Sequence, residues 1–345
     1  MIERLHLHEI EVEFSDPLVT ADGTFHSRRS VLVGAEAGGI VGWGEAPAFP
    51  SRRWGTADAA WDALETSALS DGEHLPPIAE AALQAARADL DARTAGVPLH
   101  RRLGGTGHPV AARHTLGLVE EPAALVQKVD AVVGTGIGAV KLKVRPGWDR
   151  EHVGAVRDAF PRLDISVDAN GTYRDPRDPV FDALAGLGVS LIEQPFAADD
   201  LDAHASLRRE GTLRVGVDEA IRSAGDARRV IQAFAADVVS VKVNRLALEP
   251  ARRILDLARE EGVEVKVGGT FDTSIGRRLL LAFATLDGVT DAEIAPPGGY
   301  LVTDVADYPP LIAGNITPDE SPGIGAAPDR ERLAGLEKRR TTIGA

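Results

Sequence analysis

VKLKVRPGWD, residues 140–149, sets two lysines one residue apart in an aliphatic run. Extended backbone sends alternate side chains to opposite faces, so Lys141 and Lys143 share one side of a strand and Val140, Leu142 and Val144 the other. Two ammonium groups on one face of a strand this aliphatic need compensation, because burying an unpaired charge is costly. The compensating charges recur at a near-constant interval. From Lys143, steps of 25, 25, 25 and 24 residues reach Asp168, Glu193, Asp218 and Lys242. One strand plus one helix fills such a step, and each charge then sits near the C-terminal end of its strand.

Working outward, strand patterns occur at residues 112–118, 139–144, 164–170, 190–195, 214–219, 238–244, 263–269 and, weakly, 291–296. Helical patterns lie between them, as at 149–160, 223–237 and 248–262, the last stopped by Gly262. Eight strands alternating with helices predict an α/β fold with a closed parallel barrel rather than an open sheet. In 238–244 Val239, Val241 and Val243 share a face that packs on helices, which turns Ser240, Lys242 and Asn244 inward. A barrel interior is normally aliphatic, so charges at matched strand ends mark an active-site rim. Ahead of the barrel, HLHEIEVEF (6–14), SVLVGAEAGG (30–39) and IVGWGEAP (40–47) read as a small antiparallel sheet, followed by helices over 56–69 and 78–96. The glycine-rich RRLGGTGHP (101–109) marks a domain junction.

The formal net charge of −14 argues against nucleic acid or an anionic membrane as partner. There is no cysteine, which excludes disulfides, thiol chemistry and cysteine–zinc sites. No apolar run approaches the roughly 18–20 residues of a membrane span, and the N-terminus does not read as a signal peptide. A soluble cytoplasmic protein is the expectation, with its oligomeric state left open.

Asp168, Glu193 and Asp218 would converge from successive strands. Hard oxygen ligands on a rigid frame suit Mg²⁺, or Mn²⁺, better than zinc. Three lysines and a dication outweigh three carboxylates, which suits a small-molecule carboxylate substrate and the further negative charge of an enolate. Neighbouring positive charge also favours an unprotonated amine, so one lysine can serve as a base.

VKLKV (140–144), VDAN (167–170), IEQP (192–195), GVDE (216–219), SVKVNR (240–245) and KVGGT (266–270) resemble, in order, the motifs of the muconate-lactonizing subgroup of the enolase superfamily, and GWGEAP (42–47) resembles its cap. The resemblance spans nearly the whole chain. It implies a modified TIM-type (β/α)7β barrel over 107–313, an N-terminal α+β capping domain over 1–106, and a C-terminal segment, 314–345, that returns to the cap. It also implies Mg²⁺ on Asp168, Glu193 and Asp218, and a lysine base with an ene-diolate, the chemistry characteristic of this superfamily. A mandelate-racemase-type site would need a histidine after the seventh strand, and VGGTFDTSIG (267–276) has none.

Within the subgroup, KLKVRPGWD (141–149), LIEQPF (191–196) and GGTFDTSIGR (268–277) are most similar to the o-succinylbenzoate synthase family. That family dehydrates 2-succinyl-6-hydroxy-2,4-cyclohexadiene-1-carboxylate on the menaquinone pathway. The similarity implies Lys143 as base and then acid, Lys242 as stabiliser of the enediolate, and Lys141 as tuner of Lys143. Gly268 and Gly269 would let the backbone approach a substrate carboxylate, with Asn170 and Thr270 beside it. Thr270, Asp272 and NRLAL (244–248) depart from the usual pattern. An alternative within the subgroup is an N-acylamino acid racemase or dipeptide epimerase using Lys143 and Lys242 on opposite faces. Asp291 and Glu293 have the spacing of an ammonium-binding pair for that reading. TADGTFHSRR (20–29) reads either as a loop closing over the site, with Arg28 or Arg29 meeting a carboxylate, or as an ordinary surface hairpin.

Overall fold

The computed structural model describes residues 2–20, 23–49, 55–67 and 75–344. The N-terminal part contains β1 (Arg4–Thr20), β2 (Gly23–Ala37), β3 (Ile40–Pro47), α1 (Ala57–Ser67), α2 (Pro77–Thr94), the short α3 (Leu99–Arg102) and β4 (Val110–Ala111). Then come β5 (His114–Leu116), α4 (Pro122–Val133), β6 (Ala139–Lys143), α5 (Arg150–Ala159), β7 (Asp164–Asp168), α6 (Val180–Gly186), β8 (Ile192–Glu193) and α7 (Leu201–Glu210). They are followed by β9 (Val215–Val217), α8 (Ala224–Gln232), β10 (Val238–Val241), α9 (Val243–Leu246), α10 (Leu248–Glu260), β11 (Glu264–Val267), α11 (Ser274–Ala284) and β12 (Val289–Ala292). β13 (Leu311–Ile312), β14 (Asn315–Ile316), α12 (Arg330–Leu336) and β15 (Glu337–Gly344) complete the order.

β1, β2 and β3 form an antiparallel sheet, and β15 pairs with the outer edge of β1. Alternation along β1 puts Leu5 and Leu7 on one face and Ile10 and Val12 on the other, where they join the core shared with the barrel; the Leu5–Leu7 face has a cover of its own. The cover is α2, an alanine-rich helix with proline at its first turn. It lies so close to β3 that a Cβ on Gly44 would fall 2.1 Å from the carbonyl oxygen of Ala82. Glycine is therefore a packing requirement there.

β5 to β12 form one eight-stranded sheet in chain order, every pair parallel. A parallel bridge between Ala112 and Ile294 closes the ring beside β5 and β12. Arg113 reinforces the closure by bridging Asp164 of β7, at 2.7 Å, and Asp291 of β12, at 3.4 Å. The outward valines Val239, Val241, Val265 and Val267 are fully buried in the helical shell. The interior is more polar than expected. Ser166, Ser240, Lys141, Lys266 and Glu193 are all buried, so a layer of ion pairs lies below the charged rim.

Register explains how the charges meet. Lys143 pairs with Asp168, and Asp168 with Glu193. Glu193 pairs with Gly216, two residues before Asp218, and Gly216 pairs with Val238, four before Lys242. Barrel strands are tilted and staggered, so residues at one height run progressively ahead of the register. The predicted strand over 238–244 ends at Val241, and Lys242 is the N-cap of the helical turn α9.

Candidate active site

Lys141, Lys143, Asp168, Asp218 and Lys242 line one cavity at the C-terminal end of the barrel. β6 and β10 are four strands apart in a ring of eight, so Lys143 and Lys242 approach from opposite walls. Lys143 Nζ donates to Asp168 Oδ2 at 2.8 Å and to Asn170 Oδ1 at 2.6 Å. Lys242 pairs with Asp218, whose other oxygen accepts from Arg245 at 3.2 Å. Glu193 lies just beneath. Its Oε2 accepts from Lys141 at 2.7 Å and from Lys266 at 2.8 Å, and its Oε1 from Ser240 at 2.5 Å.

These contacts set the charge states. Burial opposes ionisation of Glu193, yet Lys141, Lys266 and Lys242 hold it well below the ordinary carboxyl range. Burial likewise opposes the charge on Lys141, but Glu193, Glu293 and Asp168 hold its ammonium well above the usual value. Lys141 is therefore a fixed cation rather than a free amine. Glu219 moves the other way. Burial and the neighbouring Asp218 and Asp168 push its carboxyl up to about 7, and its Oε1 accepts from Asn170 Nδ2 at 2.9 Å.

Asp168, Glu193 and Asp218 are buried, come from adjacent strands and offer only oxygen donors, a set whose chemistry suits a hard divalent cation. Among the described residues, no three acidic, histidine or cysteine side chains stand grouped as a ready-made cation site. Each acid is turned toward an ammonium group instead. A cation held by these three residues would take over contacts that the lysines now make.

Other predicted residues fall into place unevenly. Asn170 lines the cavity with a left-handed backbone, φ 44°, which asparagine tolerates. Both ends of its amide are engaged, by Lys143 and Glu219. Gly269 and Thr270 border the cavity, but the Thr270 hydroxyl donates to Asp272 at 3.0 Å. A Cβ on Gly269 would stand 2.6 Å from Asp272 Oδ2, so that side chain already demands glycine there. Gly268 is not among the residues lining the cavity and packs against the stem of Lys242.

Neither loop arginine lines the cavity. Arg28 is buried against Glu45 and donates to the Thr270 carbonyl, and Arg29 pairs with Glu9 and Asp58. Thr20 does line the cavity, while Ala21 and Asp22 lie outside the described residues. The Asp291–Glu293 pair is divided. Asp291 serves Arg113 lower in the barrel, and Glu293 accepts from Lys141 and Lys266, each at 2.7 Å.

Sequence reading missed Lys266, Glu219 and Gln194, and gave Glu293 a different role. Lys266 was legible, since it lies on the inward face two residues before Gly268. Gln194, φ 42°, accepts from the backbone nitrogens of Asp218 and Ala220 at 3.0 and 3.2 Å and so fixes the turn that presents Asp218.

Residues 124–332 match the family model for the enolase C-terminal domain-like family. The chain belongs to the enolase superfamily. It is an enzyme of that superfamily, similar to named synthases and racemases. It is 32% identical over 356 residues to an o-succinylbenzoate synthase of Geobacillus stearothermophilus, covering 96% of this chain and 95% of the relative. It is 34% identical over 252 residues to an N-succinylamino acid racemase of Thermus thermophilus, covering 72% of this chain and 68% of the relative. The solved structure of an enolase-superfamily member from Listeria innocua superposes with a TM-score of 0.90 at 25% identity, covering 99% of this chain and 98% of that one. Like its superfamily, the chain carries the capped barrel. Among its described residues no helix is long and apolar enough to cross a membrane.

Proposed function

We propose that this enzyme is a Mg²⁺-dependent carbon–oxygen lyase that forms o-succinylbenzoate by syn-dehydration of 2-succinyl-6-hydroxy-2,4-cyclohexadiene-1-carboxylate, a soluble step of menaquinone synthesis. The observation that carries the reading is the cavity with Lys143 and Lys242 on opposed walls above buried carboxylates. The similarity over 96% of the chain to a synthase supports the substrate. Residues 1–106 and 314–345 cap the barrel of residues 107–313 in this reading.

Asp168, Glu193 and Asp218 would hold Mg²⁺, with Mn²⁺ an acceptable substitute. The ion supplies Lewis-acid stabilisation of negative charge on the substrate carboxylate, worth several kcal/mol. The chain's own residues do the rest. Lys143 Nζ removes the ring proton next to the carboxylate, then returns it to the departing hydroxyl on the same face, so that the C–O bond breaks, water leaves and the ring becomes aromatic. Asn170 and Asp168 aim the amine. Lys242 on the other face keeps its proton and stabilises the enediolate. Lys141, locked between Glu193 and Glu293, supplies fixed positive charge beneath.

The racemase reading is supported by the 34% identity to an N-succinylamino acid racemase. There both Lys143 and Lys242 would act as bases. The test follows ultraviolet absorbance of the cyclohexadiene with wild type, Lys143→Arg and Lys242→Arg. Guanidinium stays protonated, so the first variant should lose dehydration almost entirely and the second should keep part of it. Equal residual rates would contradict the division of roles. Racemisation of N-succinylamino acids by a wild type that leaves the cyclohexadiene untouched would replace the synthase reading with the racemase one.

A further inference from the structure

The cavity lining is chemically mixed. Together with the charged strand ends, three aromatic residues line it: Phe49, Phe271 and Tyr300. Phe271 is at the centre of the three. Its ring meets Tyr300 edge-on at 4.7 Å and lies at 30° to the Phe49 ring, 6.0 Å away. Its backbone is left-handed, φ 59°, a conformation that a bulky residue adopts only where its surroundings impose it.

Those surroundings come from both domains. On the barrel side, Asp272 accepts from the Thr270 amide at 2.7 Å and from Asn244 at 2.9 Å. On the cap side, Arg28 donates to the Thr270 carbonyl at 3.1 Å. Its partner Glu45 accepts from the Thr273 and Gly276 amides, at 3.0 and 3.1 Å, at the start of α11. The peptide before Phe271 and the helix after it are thus held by one buried ion pair from the cap. Both of its side chains are 0% exposed.

We infer that Phe271 is a specificity-determining residue: its ring is the wall against which the non-reacting tail of the substrate packs, and Arg28 is the positioning residue that keeps it there. The inference deepens the proposed function, since it rests on the reacting carboxylate lying at the lysines. The class of ligand it selects is a carboxylate bearing an acyl tail long enough to reach from the lysines to the Phe271 ring. Strain is tolerated because an ordinary backbone would turn the ring out of the wall.

The experiment measures kcat/KM for pairs of substrates differing only in tail length, in both dehydration of cyclohexadiene carboxylates and racemisation of N-acylamino acids. The variants are Phe271→Ala, Phe271→Gly, Arg28→Met and Arg28→Lys. Phe271→Gly is the folding control, since glycine accepts positive φ. Calorimetric binding of o-succinylbenzoate against benzoate gives a readout independent of turnover. The long-to-short ratio should fall about tenfold or more in both Phe271 variants, the scale of lost apolar contact in a pocket. Arg28→Met should shift it the same way through KM, with partial rescue by Arg28→Lys. Parallel losses on both substrates, leaving the ratio unchanged, would overturn the inference while the synthase reading stands. A shifted ratio in racemisation by a wild type that does not dehydrate would sustain the wall and remove the synthase reading. Turnover of neither class by wild type overturns both.

Discussion

Lys266→Met tests whether the ion-pair layer inside the barrel is structural. Lys266 Nζ donates to Glu193 Oε2 at 2.8 Å and Glu293 Oε1 at 2.7 Å, and its side chain is 1% exposed. Lys141 bridges the same two acids at 2.7 Å each. Two cations and two anions therefore balance. At an effective dielectric constant of about 20, one contact of this length is worth roughly 6 kcal/mol before desolvation. Removing one partner of such a buried pair costs about 3–5 kcal/mol after relaxation, because a carboxylate is left short of a counter-charge. Methionine fills most of the lysine stem's volume, so the loss is electrostatic rather than a cavity. Lys266→Met/Glu293→Gln restores neutrality and should recover at least half of the loss, a coupling on the order of 2 kcal/mol. Urea unfolding of the metal-free protein, followed by far-ultraviolet circular dichroism, reads both numbers. A single variant within about 1 kcal/mol of wild type, or strictly additive losses in the double variant, would refute the reasoning.

Arg28→Met leaves Glu45 buried and unpaired at the cap–barrel junction and should cost about 3–5 kcal/mol in the same assay, with part returned by Arg28→Met/Glu45→Gln. Gly44→Ala drives a methyl into the α2 backbone and should cost at least about 3 kcal/mol, visible as a lowered thermal midpoint. Asp164 is a pH probe. Burial raises its carboxyl pKa, but Arg113 and Ser190 outweigh this and bring it below the usual value. A depressed folded pKa contributes stability that is present above the unfolded value, about 3.9, and lost as pH falls through the folded one. Asp164→Asn should therefore destabilise at pH 7, and the deficit should close below about pH 4; a deficit independent of pH would refute the ion-pair account.

Eight strand patterns alternating with helices, together with the near-constant interval from Lys143 to Lys242, make the barrel legible in the sequence, because one strand–helix unit per step brings each charge to its strand end. The alternation of valines gave the inward face for the same reason. The residues expected to meet in the cavity largely do so, since β6 to β10 are consecutive neighbours and local order carries over into space. What the sequence could not determine is which charge answers which. Lys266 and Glu293 enter the same layer as Lys141 only through barrel closure, which brings β12 round to β5. The sequence around Arg28 reads equally as a loop bringing Arg28 or Arg29 to a substrate carboxylate and as a surface hairpin; tertiary packing instead buries Arg28 against Glu45 and the Thr270 carbonyl. The strained backbone of Phe271 has no signature in GGTFDT, because a left-handed phenylalanine persists only when two domains hold the peptides around it. Periodicity is a property of the chain and can be read from it; the pairing of buried charges and the imposition of strain depend on surfaces that exist only after the chain has folded.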